Sequence, residues 1–193
     1  MAGPAPEPTA AYEDPALRAD LHRIQRSLPP GLAGDALIAA LRGGTDAIEQ
    51  LSDSDLARGG AFVVETVPLP DGPELLVCTP SVAVPAGILY HVHGGGMIAG
   101  DSRNGVAEML DWAAELALVV VSVDYRLAPE APYPGGLDDC AAGLGWAYRH
   151  AADRSLGPRD VLVVGGSAGG ALAAGSVLRA RDLGTPMPGG LML

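Results

Sequence analysis

The chain has 193 residues, 48% hydrophobic and 18% charged, a globular composition of about one domain's size. Its formal charge of −11, from 12 basic and 23 acidic side chains, argues against a partner with a phosphate backbone, so no nucleic acid is expected. Every basic residue is an arginine, and without lysine Walker-type nucleotide loops, Schiff-base chemistry and Ser–Lys nucleophile pairs are excluded together.

Residues 1–14 are rich in Pro and Ala and are expected to be loose. Met1–Ala10 carries neither a basic cluster nor an apolar run, so it does not read as a secretory signal. No stretch reaches the roughly 18 apolar residues of a membrane span, and no membrane partner is expected. Cys78 and Cys140 have no metal or redox spacing and fit two buried thiols in a reducing cytoplasm. No metal and no cofactor are expected.

Leu17, Leu21, Ile24 and Leu28 are spaced for a helix over Pro15–Leu28. Two shorter helices are predicted at Asp35–Leu41 and Thr45–Leu56, with Asp35 and Thr45 as N-caps. The pattern changes after Gly59-Gly60. Ala61–Leu69 and Glu74–Thr79 read as strands joined by the turn Pro70-Asp71-Gly72-Pro73. Further strands are predicted at Gly87–Val92, Leu116–Val123 and Asp160–Val164, with Leu191–Leu193 as the first step of a sixth. Helical patterns lie between them, at Val106–Glu115, Leu137–Ala152 and Ala168–Leu183. Alternating strands and helices imply an α/β fold with a mostly parallel sheet.

The segment from Val161 to Gly170 runs strand, Gly165-Gly166-Ser167-Ala168-Gly169, helix. A serine lifted out of a sheet at its carboxyl end must sit on a very sharp turn, and Gly165 and Gly169 leave room for strand and helix to meet there. The helix from Ala168 would aim its N-terminal amides at an oxygen developing negative charge. A dinucleotide fingerprint is excluded, because its middle glycine would fall on Ser167. His93-Gly94-Gly95-Gly96-Met97 directly follows the third strand, and its unhindered amides are suited to form an oxyanion hole with that of Ala168.

Four segments occur in order: Tyr90-His91-Val92-His93-Gly94-Gly95-Gly96, Asp124-Tyr125-Arg126-Leu127-Ala128-Pro129-Glu130, Tyr133-Pro134-Gly135-Gly136-Leu137-Asp138-Asp139 and Gly165-Gly166-Ser167-Ala168-Gly169-Gly170. Together they resemble the bacterial hormone-sensitive-lipase-like carboxylesterases of the α/β-hydrolase superfamily. The resemblance implies an N-terminal helical cap segment over 1–57 and, over 58–193, an α/β-hydrolase core missing its last strands. It implies Ser167 as nucleophile, the amides of Gly94, Gly95, Gly96 and Ala168 as oxyanion donors, and His93 as a residue that orients the loop rather than the catalytic base. The implied substrate is a small acyl ester. An amidase, deacetylase or lipase of the same fold is the alternative within enzymes, and a catalytically dead fragment the alternative outside them. The sequence departs from the family pattern at Gly166, where an acidic residue is usual, at Met97, where an aromatic is frequent, and around Asn104-Gly105, where a histidine is common.

The remaining triad members are the larger departure. After Ser167 the chain has one carboxylate, Asp182, and no histidine; His22, His91, His93 and His150 all precede it. A triad in this superfamily runs Ser, Asp or Glu, His in chain order. The chain therefore reads as the N-terminal two-thirds of an esterase whose acid and base lie beyond it. His91 reads as a core or interface residue and His150 as a solvated imidazolium near a helix C-terminus. His22 falls on an N-terminal helix. Asp138 and Asp139 read as helix-start carboxylates, and Asp124 as structural, paired with an arginine or with backbone amides. The strand Val161–Val164 is expected nearly at the sheet edge, exposing Leu172, Val177 or Leu178 and promoting self-association.

Overall fold

A computed structural model of the chain describes residues 33–47 and 51–193. The helix predicted at Pro15–Leu28, and His22 with it, lie outside the described residues. In chain order the elements are α1 (Asp35–Ala47), α2 (Asp53–Leu56), β1 (Phe62–Pro68), β2 (Glu74–Pro80), β3 (Gly87–Val92), α3 (Val106–Leu116), β4 (Leu118–Asp124), α4 (Gly135–Ala152), β5 (Val161–Gly165), α5 (Ala168–Asp182) and β6 (Gly190–Met192). Contacts divide the chain into two units, Met1–Ala40 and Leu41–Leu193. In the first, the Gly34 carbonyl accepts from the amides of Leu37 and Ile38, so Asp35 is the first helical residue and not the cap.

The second unit contains a six-stranded sheet in the order β1-β2-β4-β3-β5-β6. β1 pairs antiparallel with β2, and β2 with β4. The β4–β3, β3–β5 and β5–β6 pairs are all parallel. β3 lies at the centre and all six of its residues, the polar His91 included, are buried, as expected of a strand covered on both faces. Successive side chains alternate between the two faces of the sheet. Leu75, Val77, Tyr90 and Val121 face α4 and α5, where they meet Cys140, Leu144, Leu172 and Val177. Leu76, Cys78, Leu89 and Val120 face α3 and its Met109, Leu110 and Ala113. Both cysteines are free and buried, and burial pushes the Cys78 thiol up to about 12. Among the described residues no helix is long and apolar enough to cross a membrane.

Several boundaries differ from those predicted. α1 continues through Gly43-Gly44 to Ala47, so Thr45 lies inside a helix and does not cap one. A glycine weakens a helix by only about 1 kcal/mol and does not by itself end it. The next helix is the single turn α2, closed by a capping box in which the Asp55 amide donates to Ser52 Oγ and the Ser52 amide to the Asp55 carboxylate. Leu116 ends α3, Ala117 is left-handed (φ 52°), and β4 starts at Leu118. Asp160 belongs to a 3₁₀ turn before β5, where its carboxylate accepts from the Gly157 amide. α4 begins at Gly135, two residues before the predicted start.

At the sheet edge the short sixth strand forms as predicted, and only the exposure on α5 differs in part. β6 pairs with β5 from Leu162↔Gly190 to Val164↔Met192, so the outermost strand on this side is β6. Leu172 and Val177 are buried against the sheet; Leu178, on the outer face of α5, is 48% exposed.

Candidate active site

β5 ends at Gly165 and α5 begins at Ala168. Between them Ser167 adopts φ 54°, ψ −123°, a backbone conformation that costs a non-glycine residue on the order of 1–3 kcal/mol. The neighbouring glycines explain how it is held there. A Cβ on Gly169 would collide with the carbonyl oxygens of Val92 and His93, and one on Gly165 with the carbonyl of Gly169. The first turn of α5 thus packs backbone to backbone against the ends of both β5 and β3. Ser167 is left exposed at the carboxyl end of the sheet, its side chain making no cap bond.

β3 and β5 are neighbours, so the loops that follow them meet. A Cβ built on Gly94 would lie 3.2 Å from the Gly166 carbonyl and 3.7 Å from Ser167 Cβ. Beyond Gly94 the chain is left-handed at Gly95 (φ 114°), Gly96 (φ 66°) and Met97 (φ 64°), and the amides of Ile98 and Ala99 donate back to the Gly95 carbonyl. Ser167, Gly94 and Gly95 line one cavity of about 510 Å³; Gly96 does not. Met109, Trp112, Val164 and Met192 give that cavity an apolar wall.

His93 is fully buried and its ring stacks on Tyr125, centroids 4.1 Å apart and planes 12° from parallel. Its Nδ1–H donates to the Gly94 carbonyl at 2.8 Å, while the buried Nε2 has no hydrogen-bond partner and so is not bonded to Ser167. Burial lowers its pKa and keeps the ring neutral. Tyr125 Oη donates to the His93 carbonyl at 2.9 Å, a second tie on the same residue.

His91 is buried as predicted, with Nδ1 2.9 Å from Ser122 Oγ, and it lines the cavity that holds Ser167. Burial, aided by His93, draws its pKa down to about 4. His150 is not a solvated imidazolium. It stacks on Trp146, centroids 4.3 Å apart, its Nε2 is buried without a partner, and burial followed by the charge of Arg154 draws its pKa to about 4.

The carboxylates are engaged elsewhere. Asp139, 2% exposed, accepts two hydrogen bonds from the Arg126 guanidinium at 2.8 Å and one from the Arg126 amide at 2.9 Å, so it ties a loop to α4 as well as sitting near a helix start. Asp138 pairs with Arg179, and Asp182 with Arg181. Burial and then the charge of Asp101 raise the pKa of Asp124, and the Ser102 backbone opposes the shift. Among the described residues no group of three His, Cys, Asp or Glu side chains could hold a metal ion.

Tyr125 and Arg42 were not singled out by the sequence. Tyr125 lies in a recognisable segment, but its contact with His93 spans 32 residues. Arg42 has no local signal at all: its acceptors include the carbonyls of Ile98 and Ala128 and the carboxylate of Glu130.

A family model described as alpha/beta hydrolase fold matches residues 89–193. The chain belongs to the alpha/beta hydrolase fold family. Human hormone-sensitive lipase is 39% identical to this hydrolase-fold chain over 105 residues, 54% of the chain and 10% of the lipase. Carboxylesterase NlhH of Mycobacterium tuberculosis is 44% identical over 101 residues, 51% of the chain and 31% of the esterase. Among solved structures, a hormone-sensitive lipase from a metagenome library aligns with TM-score 0.70 at 30% identity, over 93% of this chain and 57% of that one. A bacterial heroin esterase aligns with TM-score 0.69 at 32% identity over the same 93% and 56%. The chain spans about a tenth to a quarter of the lengths of the hormone-sensitive lipases it matches.

Proposed function

We propose that this chain carries the nucleophile and oxyanion half of a serine hydrolase that cleaves short-chain acyl esters through an acyl-serine intermediate. The observation that carries the reading is the proximity of the glycine loop, across one cavity, to a serine in strained backbone of positive φ just after β5. Ser167 Oγ attacks the ester carbonyl carbon. The carbonyl oxygen takes up negative charge and is met by backbone amides of Ala168 and of Gly94, Gly95 or Gly96. Of the three glycines we favour Gly94 and Gly95, which line the Ser167 cavity. His93 orients the loop. The alcohol leaves with a proton, and water then releases the acid and frees Ser167. The names of the relatives, esterases and lipases, agree with this chemistry.

A serine hydroxyl is a weak nucleophile without a base. His93 is bonded to Gly94, His91 rests on Ser122, and His150 is stacked on Trp146. No histidine among the described residues is placed as a base for Ser167, and a triad of this superfamily runs Ser, Asp or Glu, His in chain order, so we assign the base and its carboxylate to residues outside these 193. The protein as the cell makes it is expected to hydrolyse a short p-nitrophenyl ester and to lose that activity on Ser167→Ala. The isolated 193-residue chain is expected to be slower by on the order of 10⁶, the effect of deleting a triad histidine. Turnover that survives Ser167→Ala in the natural protein would reject the nucleophile. Robust turnover by the isolated chain, lost on Ser167→Ala, would hand the base role to one of its own histidines.

We also infer self-association through β6. Leu191, Met192 and Leu193 are 39%, 40% and 70% exposed beside unpaired strand edge, an arrangement that templates association. Sedimentation of the purified chain tests this, and a monomer at all concentrations would refute it.

A further inference from the structure

Arg42 makes contacts that a surface ion pair alone does not need. One edge of its guanidinium meets Glu130, Nη1 donating to Oε1 at 2.8 Å and Nη2 to Oε2 at 2.7 Å. The same group also donates to two backbone carbonyls, from Nε to Ile98 at 2.8 Å and from Nη2 to Ala128 at 3.0 Å. Ile98 closes the glycine loop, and Ala128 belongs to the segment after β4. The Ala128 amide donates in turn to the Met97 carbonyl at 2.8 Å. Both ends of the left-handed run Gly95–Met97 are therefore tied: the inner end through His93 to Tyr125, the outer end through Met97 and Ile98 to Ala128 and Arg42.

We propose that Arg42 is a positioning residue for the oxyanion loop, acting through the Ile98 and Ala128 carbonyls. The proposal rests on the hydrolase reading above for its catalytic consequence, but not for its structural one. Loop carbonyls outside regular structure need donors. A planar guanidinium can serve several acceptors at fixed angles, which the compact ammonium of lysine cannot do. Oxyanion donors act only if they stand in place before the charge develops. A displacement of about 1 Å in such a group, caused from a distance, can cost about 100-fold in rate. An exposed Arg–Glu pair by itself contributes little, so the two carbonyl bonds are expected to carry the effect.

The test uses the protein as the cell makes it, with Arg42→Ala, Arg42→Lys and Glu130→Gln. With a short p-nitrophenyl ester, Arg42→Ala is expected to lower kcat about 10- to 100-fold while KM stays within about twofold. Arg42→Lys is expected to recover little of this, and Glu130→Gln, which keeps the carbonyl bonds, to stay within about threefold of the parent. Hydrogen exchange is the second arm and needs no turnover. The amides of Ala99 and Ala128 are expected to lose about tenfold protection in Arg42→Ala and Arg42→Lys, with that of Val163 in β5 unchanged. Unchanged protection at Ala99 and Ala128 would overturn the proposal. So would equal losses of kcat in Arg42→Ala and Glu130→Gln, or a loss confined to KM. If the parent protein has no esterase activity, the hydrolase reading fails, and the exchange arm alone decides whether Arg42 holds the loop.

Discussion

The turn around Ser167 and the loop around Gly95 both place backbone at the carboxyl end of the sheet, and they are held by opposite means. The turn supports itself. Its geometry follows from two glycines within four residues of each other, Gly165 and Gly169, and from the main chain they let approach. The loop has three consecutive left-handed residues and is held largely from a distance, by Tyr125, Ala128 and Arg42. Close backbone packing is written into adjacent residues. A loop braced by remote side chains is written across the whole chain.

Breaking the turn is expected to have the largest effect. In Gly169→Ala the new methyl has no direction of escape, because the atoms it meets are main-chain carbonyls of Val92 and His93. A loss of about 3 kcal/mol or more is expected, at the upper end of overpacking costs, read as a lower urea midpoint at unchanged slope. A midpoint within error of the parent would show that α5 can shift away from β3.

Acid is expected to act on the loop and its surroundings, because titratable histidines stand there and none stands in the turn. The folded-state pKa of His91 is depressed from 6.5 to about 4, and burial depresses that of His93 as well. Between those limits the unfolded chain takes up protons that the folded chain refuses. Stability is therefore full above about pH 6.5 and falls as the pH drops toward 4. Urea midpoints measured across that range should show the decline, and His91→Gln should reduce it without abolishing it, because His150 is drawn to about 4 as well. A slope identical in parent and variant would place the proton uptake elsewhere.

A milder break on the loop side is Tyr125→Phe. It keeps the ring stacked on His93 but removes the hydroxyl that donates to the His93 carbonyl. The expected loss is about 1 kcal/mol, the usual net worth of one such bond. Hydrogen exchange should rise at Ala99 and not in β5. Equal loosening of both would deny that the two regions are held separately.

The smallest effect sharpens the contrast. Gly166 lies between the two required glycines, yet a Cβ there meets nothing within 4 Å and its φ is not left-handed. Gly166→Ala is expected to stabilise by about 0.5 kcal/mol, by restricting the unfolded chain. Destabilisation by more than about 1 kcal/mol would mean that the turn needs flexibility as well as space.

The same division decides how much was legible in the sequence. Strands rich in apolar residues, such as Gly87–Val92, and the turn at Ser167 were readable because neighbouring residues carry their causes. The end of α1 was not: Gly43-Gly44 looked like a break, and no local rule says that two glycines can be absorbed within a helix. The start of β4 was misplaced because Leu116 and Leu118 are both apolar, and only the left-handed Ala117 separates helix from strand. His150 was misjudged because position near a helix end says nothing about a tryptophan one turn earlier covering the ring. Arg42 could not be found at all, since a lone arginine does not announce two carbonyls 56 and 86 residues away.

The sheet order has a consequence for the nascent chain. β3 pairs with β4, made soon after it, and with β5, made only after α4 has also emerged. Until β5 arrives, this fully buried strand has one main-chain edge open and one flank of its side chains uncovered. Translation proceeds at about 5–20 residues per second, so that exposure lasts for seconds on the ribosome. The interval is set by topology: no substitution in β3 that keeps the core apolar would shorten it, whereas slower decoding between β4 and β5 would lengthen it. The synthesis of residues 125–160 is thus the stage at which this chain most needs protection from its neighbours.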